Sequence, residues 1–364
     1  MIAPLFAAAL ALAASCDLEH PSGRAGCTRA AVDGLKINAL QAVGTHNSYK
    51  MAIAPKEMAT VKAMAPKDAP TLDYSHAPLT DQLNDGARQL ELDLVYDPKG
   101  GLYADPLGLK TAGTEPWDVT PLRAPGMKVM HVPDVDYRSV CVLYTRCLAE
   151  IRAWSRAHPR HVPILILLNL KEGGLKLPGA VQAPVFDAAA MDAIDAEIRS
   201  VFPEAELITP DRVQGRHPTL RAAVAAGAWP TLKTARGKVM FALDAPPDQV
   251  ARYRGSRKVL EGRAMFVNIE ESSPAAGYIT LNEPIELSAQ IQAAVKAGLM
   301  VRTRADADTV EARTNDTNRR TAAFASGAQY VSTDYMQPDL RFGPYQARLP
   351  GGGVARPNPV TAPH

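Results

Sequence analysis

Residues 89–94 read Gln89-Leu-Glu-Leu-Asp-Leu94, and polar and apolar side chains alternate along them with the two-residue period of a β-strand. Glu91 and Asp93 share one face, while Leu90, Leu92 and Leu94 cover the other. Carboxylates on a strand face are usually solvated. Set against an unbroken apolar face, they suit instead the polar interior of a barrel whose outside is packed. Further short apolar runs lie at 39–45, 128–132, 164–171, 238–244, 265–269, 299–304 and 329–333, which with 89–96 makes eight. Helical patterns fill several gaps, over 139–157, 188–201, 283–297 and 309–325. Strands alternating with helices predict parallel pairing, because parallel neighbours need a crossover. Eight such units over about 300 residues match a single-domain α/β protein, a (β/α)8 TIM barrel. An open, doubly wound sheet is the alternative, but no Gly-rich phosphate loop follows the first strand.

Composition narrows the function. Forty Lys and Arg against 38 Asp and Glu give a net charge of +2, so no bulk positive field exists to gather nucleic acid. Hydrophobic residues at 46% and charged residues at 21% are those of a globular chain. Residues 1–15 form a short Ala/Leu-rich run, too short to span a bilayer and suited to a secretory signal. The expectation is an exported protein, periplasmic or secreted, with no transmembrane segment once mature. Residues 16–349 would form the barrel, and the Pro/Gly-rich residues 350–364 a mobile tail. Four cysteines allow three pairings. Cys16 with Cys27 and Cys141 with Cys147, each closing a short loop, are preferred, and neither pair has zinc-ligand spacing. Ser15-Cys16 also permits a lipoprotein acylated at Cys16 as a minor alternative.

Chemistry in such a barrel belongs at the C-terminal ends of the strands. The first run ends in Gly44-Thr-His-Asn-Ser-Tyr49, the third in Met130-His131, the fourth in Asn169-Leu-Lys171. Arg302, Arg304 and Asp306 share one strand parity, and Asp334 and Tyr335 close the last run. The arginines and Asp306 are candidates for binding phosphate and sugar hydroxyls, with Asp334 as a hydroxyl acceptor and Tyr335 as a stacking platform. His76 precedes the helix before the second strand and reads as structural; His158, His161 and His217 stand in connections. In residues 50–67, Met58, Val61 and Met64 recur every three residues among Lys50, Lys56, Lys62 and Lys67. This segment is either an ordinary barrel-covering helix or a contact for an anionic membrane surface.

Gly44-Thr-His-Asn-Ser-Tyr49, Gly86-Ala-Arg-Gln-Leu-Glu-Leu-Asp93 and Met130-His131 resemble the phosphatidylinositol-specific phospholipase C superfamily, in particular its calcium-dependent bacterial branch. The likeness runs from about Leu35 through Tyr335 and includes residues 237–244, 301–306 and 331–335. It implies that His46 and His131 are the acid/base pair and that Asn47, Glu91 and Asp93 ligate calcium. A further ligand in such relatives is an acid at the fourth strand's end. Here Asn169 stands there, one negative charge fewer, unless Glu172 supplies it. Lys171 would contact the phosphate or the inositol. The implied activity is that of a phosphoric diester hydrolase acting at a phospholipid surface as a monomer. It would cleave phosphatidylinositol to diacylglycerol and an inositol phosphate, directly or through a cyclic phosphate. Glycerophosphodiesters or sphingolipids are alternative substrates, and a secreted binding protein without turnover is the reading from a different class. The presence of both histidines argues against that last one.

Overall fold

A computed structural model describes residues 16–361. Its strands are β1 (Leu40–Thr45), β2 (Gln89–Val95), β3 (Lys128–Val129), β4 (Ile164–Leu170), β5 (Val239–Leu243), β6 (Met265–Val267), β7 (Tyr278–Thr280), β8 (Met300–Arg304), β9 (Tyr330–Thr333) and β10 (Ala355–Pro357). Eight of them run parallel in the order β6-β5-β4-β2-β1-β9-β8-β7. A single bridge, Asn268 to Tyr278, joins the two ends, so the α/β barrel is nearly closed.

The expected number of barrel strands is therefore present, but one member differs. The run at 128–132 contributes only β3, which pairs antiparallel with the end of β2 (Leu94 with Val129) and stands outside the ring. Its place is taken by β7, three residues between Gly277 and Leu281 that are too short to show a period. The helical pattern at 139–157 begins later than expected, at Tyr144, because residues before it remain extended; Lys128 bridges Leu143 and Lys50 bridges Ser139. The pattern at 309–325 splits into Val310–Thr314 and Asn318–Ala325, where Asn315 turns left-handed at φ 52°.

The C-terminal segment also departs from expectation. β1 shares only one register pair with β2, Gly44 with Gln89, so the lower half of β1 lacks a neighbour on that side. β10 fills the gap antiparallel, pairing Leu40 with Pro357 and Ala42 with Ala355. Asn358 then bonds the backbone at Ala39, Leu40 and Gly327. Unsatisfied strand donors and acceptors, rather than composition, decide the fate of this segment.

The helices bury apolar stripes against the barrel's outside. Tyr144–Ala157 covers it with Cys147, Leu148, Ile151 and Trp154; Ala188–Val201, capped by Asp187, covers it with Met191, Ile194 and Ile198. Helix Pro55–Met64 packs Met58 with Ile53 and Ala69 in a small cluster distinct from the barrel core, while Lys56, Lys62, Lys67 and Met64 remain exposed. Lys50, expected with that surface set, is wholly buried. Both preferred disulfides are present, Cys16–Cys27 and Cys141–Cys147. With its sulfur bonded to Cys27, Cys16 offers no thiol for acylation. The run at 1–15, expected to be a secretory signal, lies outside the described residues, among which no helix is long and apolar enough to cross a membrane.

Gly44 explains the first residue of its motif. A Cβ there would lie 2.4 Å from both the backbone oxygen and the Cβ of Gln89. We expect Gly44→Ala to lower the unfolding free energy in urea by about 1–3 kcal/mol, the range of an overpacked core. A loss too small to measure would show that β1 and β2 can move apart freely.

Candidate active site

Residues opposite one another in a parallel ladder share a face. Asp93 pairs with Asn169 and Glu91 with Leu167, so the polar face of β2 and the end of β4 look into the same space. Arg302 reaches it from β8 across the barrel: its Nη2 donates to Glu91 Oε2 at 2.7 Å and its Nη1 to Asn282 Oδ1 at 2.7 Å. Asn169 Nδ2 donates to Glu91 Oε1 at 2.8 Å. Burial pushes the Glu91 carboxyl up to about 7, against the opposing pull of Arg302 and with help from Asp93.

Asp93 is different. Both its carboxylate oxygens are buried; Oδ2 lies 2.9 Å from Lys171 Nζ, and Oδ1 has no hydrogen-bond partner. Asn47 stands close by, joined through the Tyr49 hydroxyl, which is 3.5 Å from Asn47 Oδ1. Burial and the Asp93 charge together push the Tyr49 pKa up. Asn47 has φ 48°, a left-handed conformation that asparagine tolerates better than most residues. Its Nδ2 donates to the Tyr74 hydroxyl at 2.8 Å. Glu172 is engaged elsewhere, with Arg252 at 2.8 Å and the Phe186 amide at 2.7 Å, whereas Asn169 faces Glu91.

The two histidines carry parallel supports. His46 follows β1 and its Nδ1 donates to Asp334 Oδ1 at 2.8 Å, while its Nε2 lies 3.7 Å from Glu91 Oε1. Burial, then Arg304 and Arg302, hold its pKa well below the ordinary histidine value. Arg304 lies 3.4 Å from Asp334 Oδ2, and His76 Nε2 donates to the His46 carbonyl at 2.7 Å, a structural role as expected. His131 does not end a barrel strand. Antiparallel β3 turns the chain back, and Met130 N donates to Asp93 O at 3.2 Å. His131 Nδ1 then donates to Asp136 Oδ2 at 2.8 Å. Burial alone would raise the Asp136 carboxyl, but Lys50 and His131 hold it below its usual value.

Other expected ligand contacts are spent inside the protein. Arg302 is 2% exposed and Asp306 is fully buried, the latter accepting from the Asp334 amide, Thr333 and Tyr345. Tyr335 packs edge-on against Tyr345 in a buried cluster with Tyr74, which leaves no open ring face for stacking. Lys171, at 36% side-chain exposure, retains an open path to solvent. Sequence reasoning passed over Asp136, Tyr74 and Asn282. The Val132-Pro-Asp-Val-Asp136 turn was the available signal for Asp136, since it folds the chain back onto His131.

Among the described residues no three His, Cys, Asp or Glu side chains cluster as a metal cage. The assembled donors are two carboxylates and two amides. Oxygen-only ligation of this kind fits calcium, and the buried Asp93 Oδ1, which has no hydrogen-bond partner, is an oxygen donor suited to a cation.

The model of one family, described as phosphoinositide phospholipase C, Ca2+-dependent, matches residues 35–359. Among solved structures, a calcium-dependent phosphoinositol-specific phospholipase C from Pseudomonas sp, in a myoinositol complex, is 17% identical. It aligns with TM-score 0.54 over 89% of this chain and 96% of that one. A calcium-dependent phosphatidylinositol-specific phospholipase C from Streptomyces antibioticus is 18% identical, with TM-score 0.55 over 89% and 99% of the two chains. At such identities the likeness is one of fold. A comparison with curated proteins found no match.

Removing Arg302 would leave Glu91 without its buried counter-charge. We expect Arg302→Met to cost about 3–5 kcal/mol in chemical denaturation, as for other broken buried pairs. Wild-type stability would mean that Glu91 does not depend on this partner.

Proposed function

Because the chain belongs to the calcium-dependent phosphoinositide phospholipase C family, whose members are phosphoric diester hydrolases, we propose that it cleaves phosphatidylinositol to diacylglycerol and an inositol phosphate with His46 and His131 as the acid/base pair. The observation that carries this reading is the doubled His–Asp arrangement. Each imidazole commits Nδ1 to a buried carboxylate at 2.8 Å, which leaves Nε2 for substrate. One imidazole, neutral, takes the proton of the attacking hydroxyl at Nε2; the other, entering as the imidazolium, gives its Nε2 proton to the departing diacylglycerol oxygen. Lys171 meets the phosphate, being more exposed than Arg302, Arg304 or Lys50. Arg304 and Asp334 fix the orientation of His46, and Arg302 keeps Glu91 in place.

Asn47, Glu91, Asp93 and Asn169 would hold calcium. Bound calcium would supply Lewis acidity, neutralising phosphate charge and making a coordinated hydroxyl easier to deprotonate. With an amide at Asn169 in place of an acid, the site carries two formal negative charges, which favours weak binding. Two disulfides support export to an oxidising compartment. Exposed Lys56, Lys62, Lys67 and Met64 on one helix and its following turn support contact with an anionic lipid surface.

Three measurements follow. His46→Ala and His131→Ala should each lower inositol phosphate release by about 10²-fold or more. Turnover by both variants at the wild-type rate would refute the acid/base assignment, and equal wild-type activity on glycerophosphocholine would point to a broader phosphodiesterase. Chelation should abolish release, and Asn169→Asp should tighten calcium binding in calorimetry by about tenfold; unchanged affinity would remove Asn169 from the ligand set. Finally, Lys56/Lys62/Lys67→Glu should weaken binding to phosphatidylinositol vesicles, whereas undiminished binding would place the lipid contact elsewhere.

A further inference from the structure

Lys50 is fully buried, an arrangement that costs several kcal/mol unless the ammonium is well partnered. Its Nζ donates to the carbonyls of Leu72 at 2.9 Å and Tyr74 at 3.0 Å, and lies 3.3 Å from Asp136 Oδ2. It also sits 4.8 Å from the centroid of the Tyr74 ring. These partners lead in two directions. Asp136 Oδ2 is the same oxygen that receives His131 Nδ1. Tyr74 accepts from Asn47 Nδ2, lies 3.3 Å from His46 Nδ1 through its hydroxyl, and stacks on the His46 ring at 6.1 Å.

We propose that Lys50 is a positioning residue that ties the supports of both histidines to one buried charge. Toward His131 it is the counter-ion that lets Asp136 remain a carboxylate, which holds Nδ1 and so leaves Nε2 for substrate. Toward His46 it clamps the 72–74 segment whose tyrosine backs the ring. The ammonium touches no reacting atom. Without it, Asp136 would lose the buried cation 3.3 Å from its Oδ2, and with it the ionised acceptor that holds His131 Nδ1.

This inference rests on the acid/base reading above, and the experiment separates the two. Lys50→Met should lower kcat by about tenfold to a hundredfold, with KM within about threefold, because orientation and proton position are lost rather than binding. The 15N signals of His131 should show loss of the Nδ1–H bond to Asp136, and Lys50→Arg should recover part of the rate. A folded Lys50→Met enzyme with wild-type kcat and unchanged His131 signals would overturn the proposal. Should Lys50→Met fail to fold, Asp136→Asn carries the test, since an amide no longer demands that proton. The same loss of kcat and of the His131 Nδ1–H bond is then expected, and wild-type values for both would overturn the proposal. If His131→Ala itself turned over normally, the acid/base reading would fail, while the 15N test of the Lys50–Asp136–His131 link would still stand.

Discussion

The Arg302–Glu91 contact crosses the barrel and joins residues 211 positions apart at 2.7 Å. A carboxylate at that depth resists ionisation, and burial pushes Glu91 up to about 7 even with the guanidinium opposing it. The pair fixes Glu91 in the centre of the mouth, and the other polar groups are arranged around it. Asn169 turns its amide nitrogen to Glu91 and so presents its oxygen elsewhere. His46 Nε2 stands 3.7 Å away on the other side.

Charge in the mouth is balanced by pairs. Glu91 is met by Arg302, Asp93 by Lys171, Asp334 by Arg304 and Asp136 by Lys50. The chain's overall near-neutrality is repeated at the site, and a phosphodiester anion would find partly satisfied cations rather than a strong positive field. Attraction then depends on which pair can open. The Lys171–Asp93 pair is the most accessible to solvent of the four and includes a carboxylate whose Oδ1 has no hydrogen-bond partner.

Much of this was legible in the sequence because strand parity is a local property. Alternation in 89–94 correctly put Glu91 and Asp93 on one face, and the ends of the 39–45 and 164–171 runs correctly put His46, Asn47, Asn169 and Lys171 near the mouth. The misreadings share a physical cause. β3 has the composition of a barrel strand but pairs antiparallel, and β7 is too short for any period. Arg302 and Tyr335 look equally available in sequence, yet one is consumed by an ion pair and the other by aromatic packing. Lys50 looked like surface charge among surface lysines. Only the fold brings Asp136 and Tyr74 to it, from 86 and 24 positions away by residue number.

The pairing of β10 with β1 has a temporal side. The lower half of β1 finds its missing neighbour in Ala355–Pro357, so its ladder joins residues from opposite ends of the described chain. During synthesis no nascent chain that has yet to reach those residues can contain the finished strand. His46 and Asn47 lie just beyond β1's other end. His46 donates its backbone N–H to the Thr333 carbonyl of β9, so its anchorage too needs residues made late in synthesis.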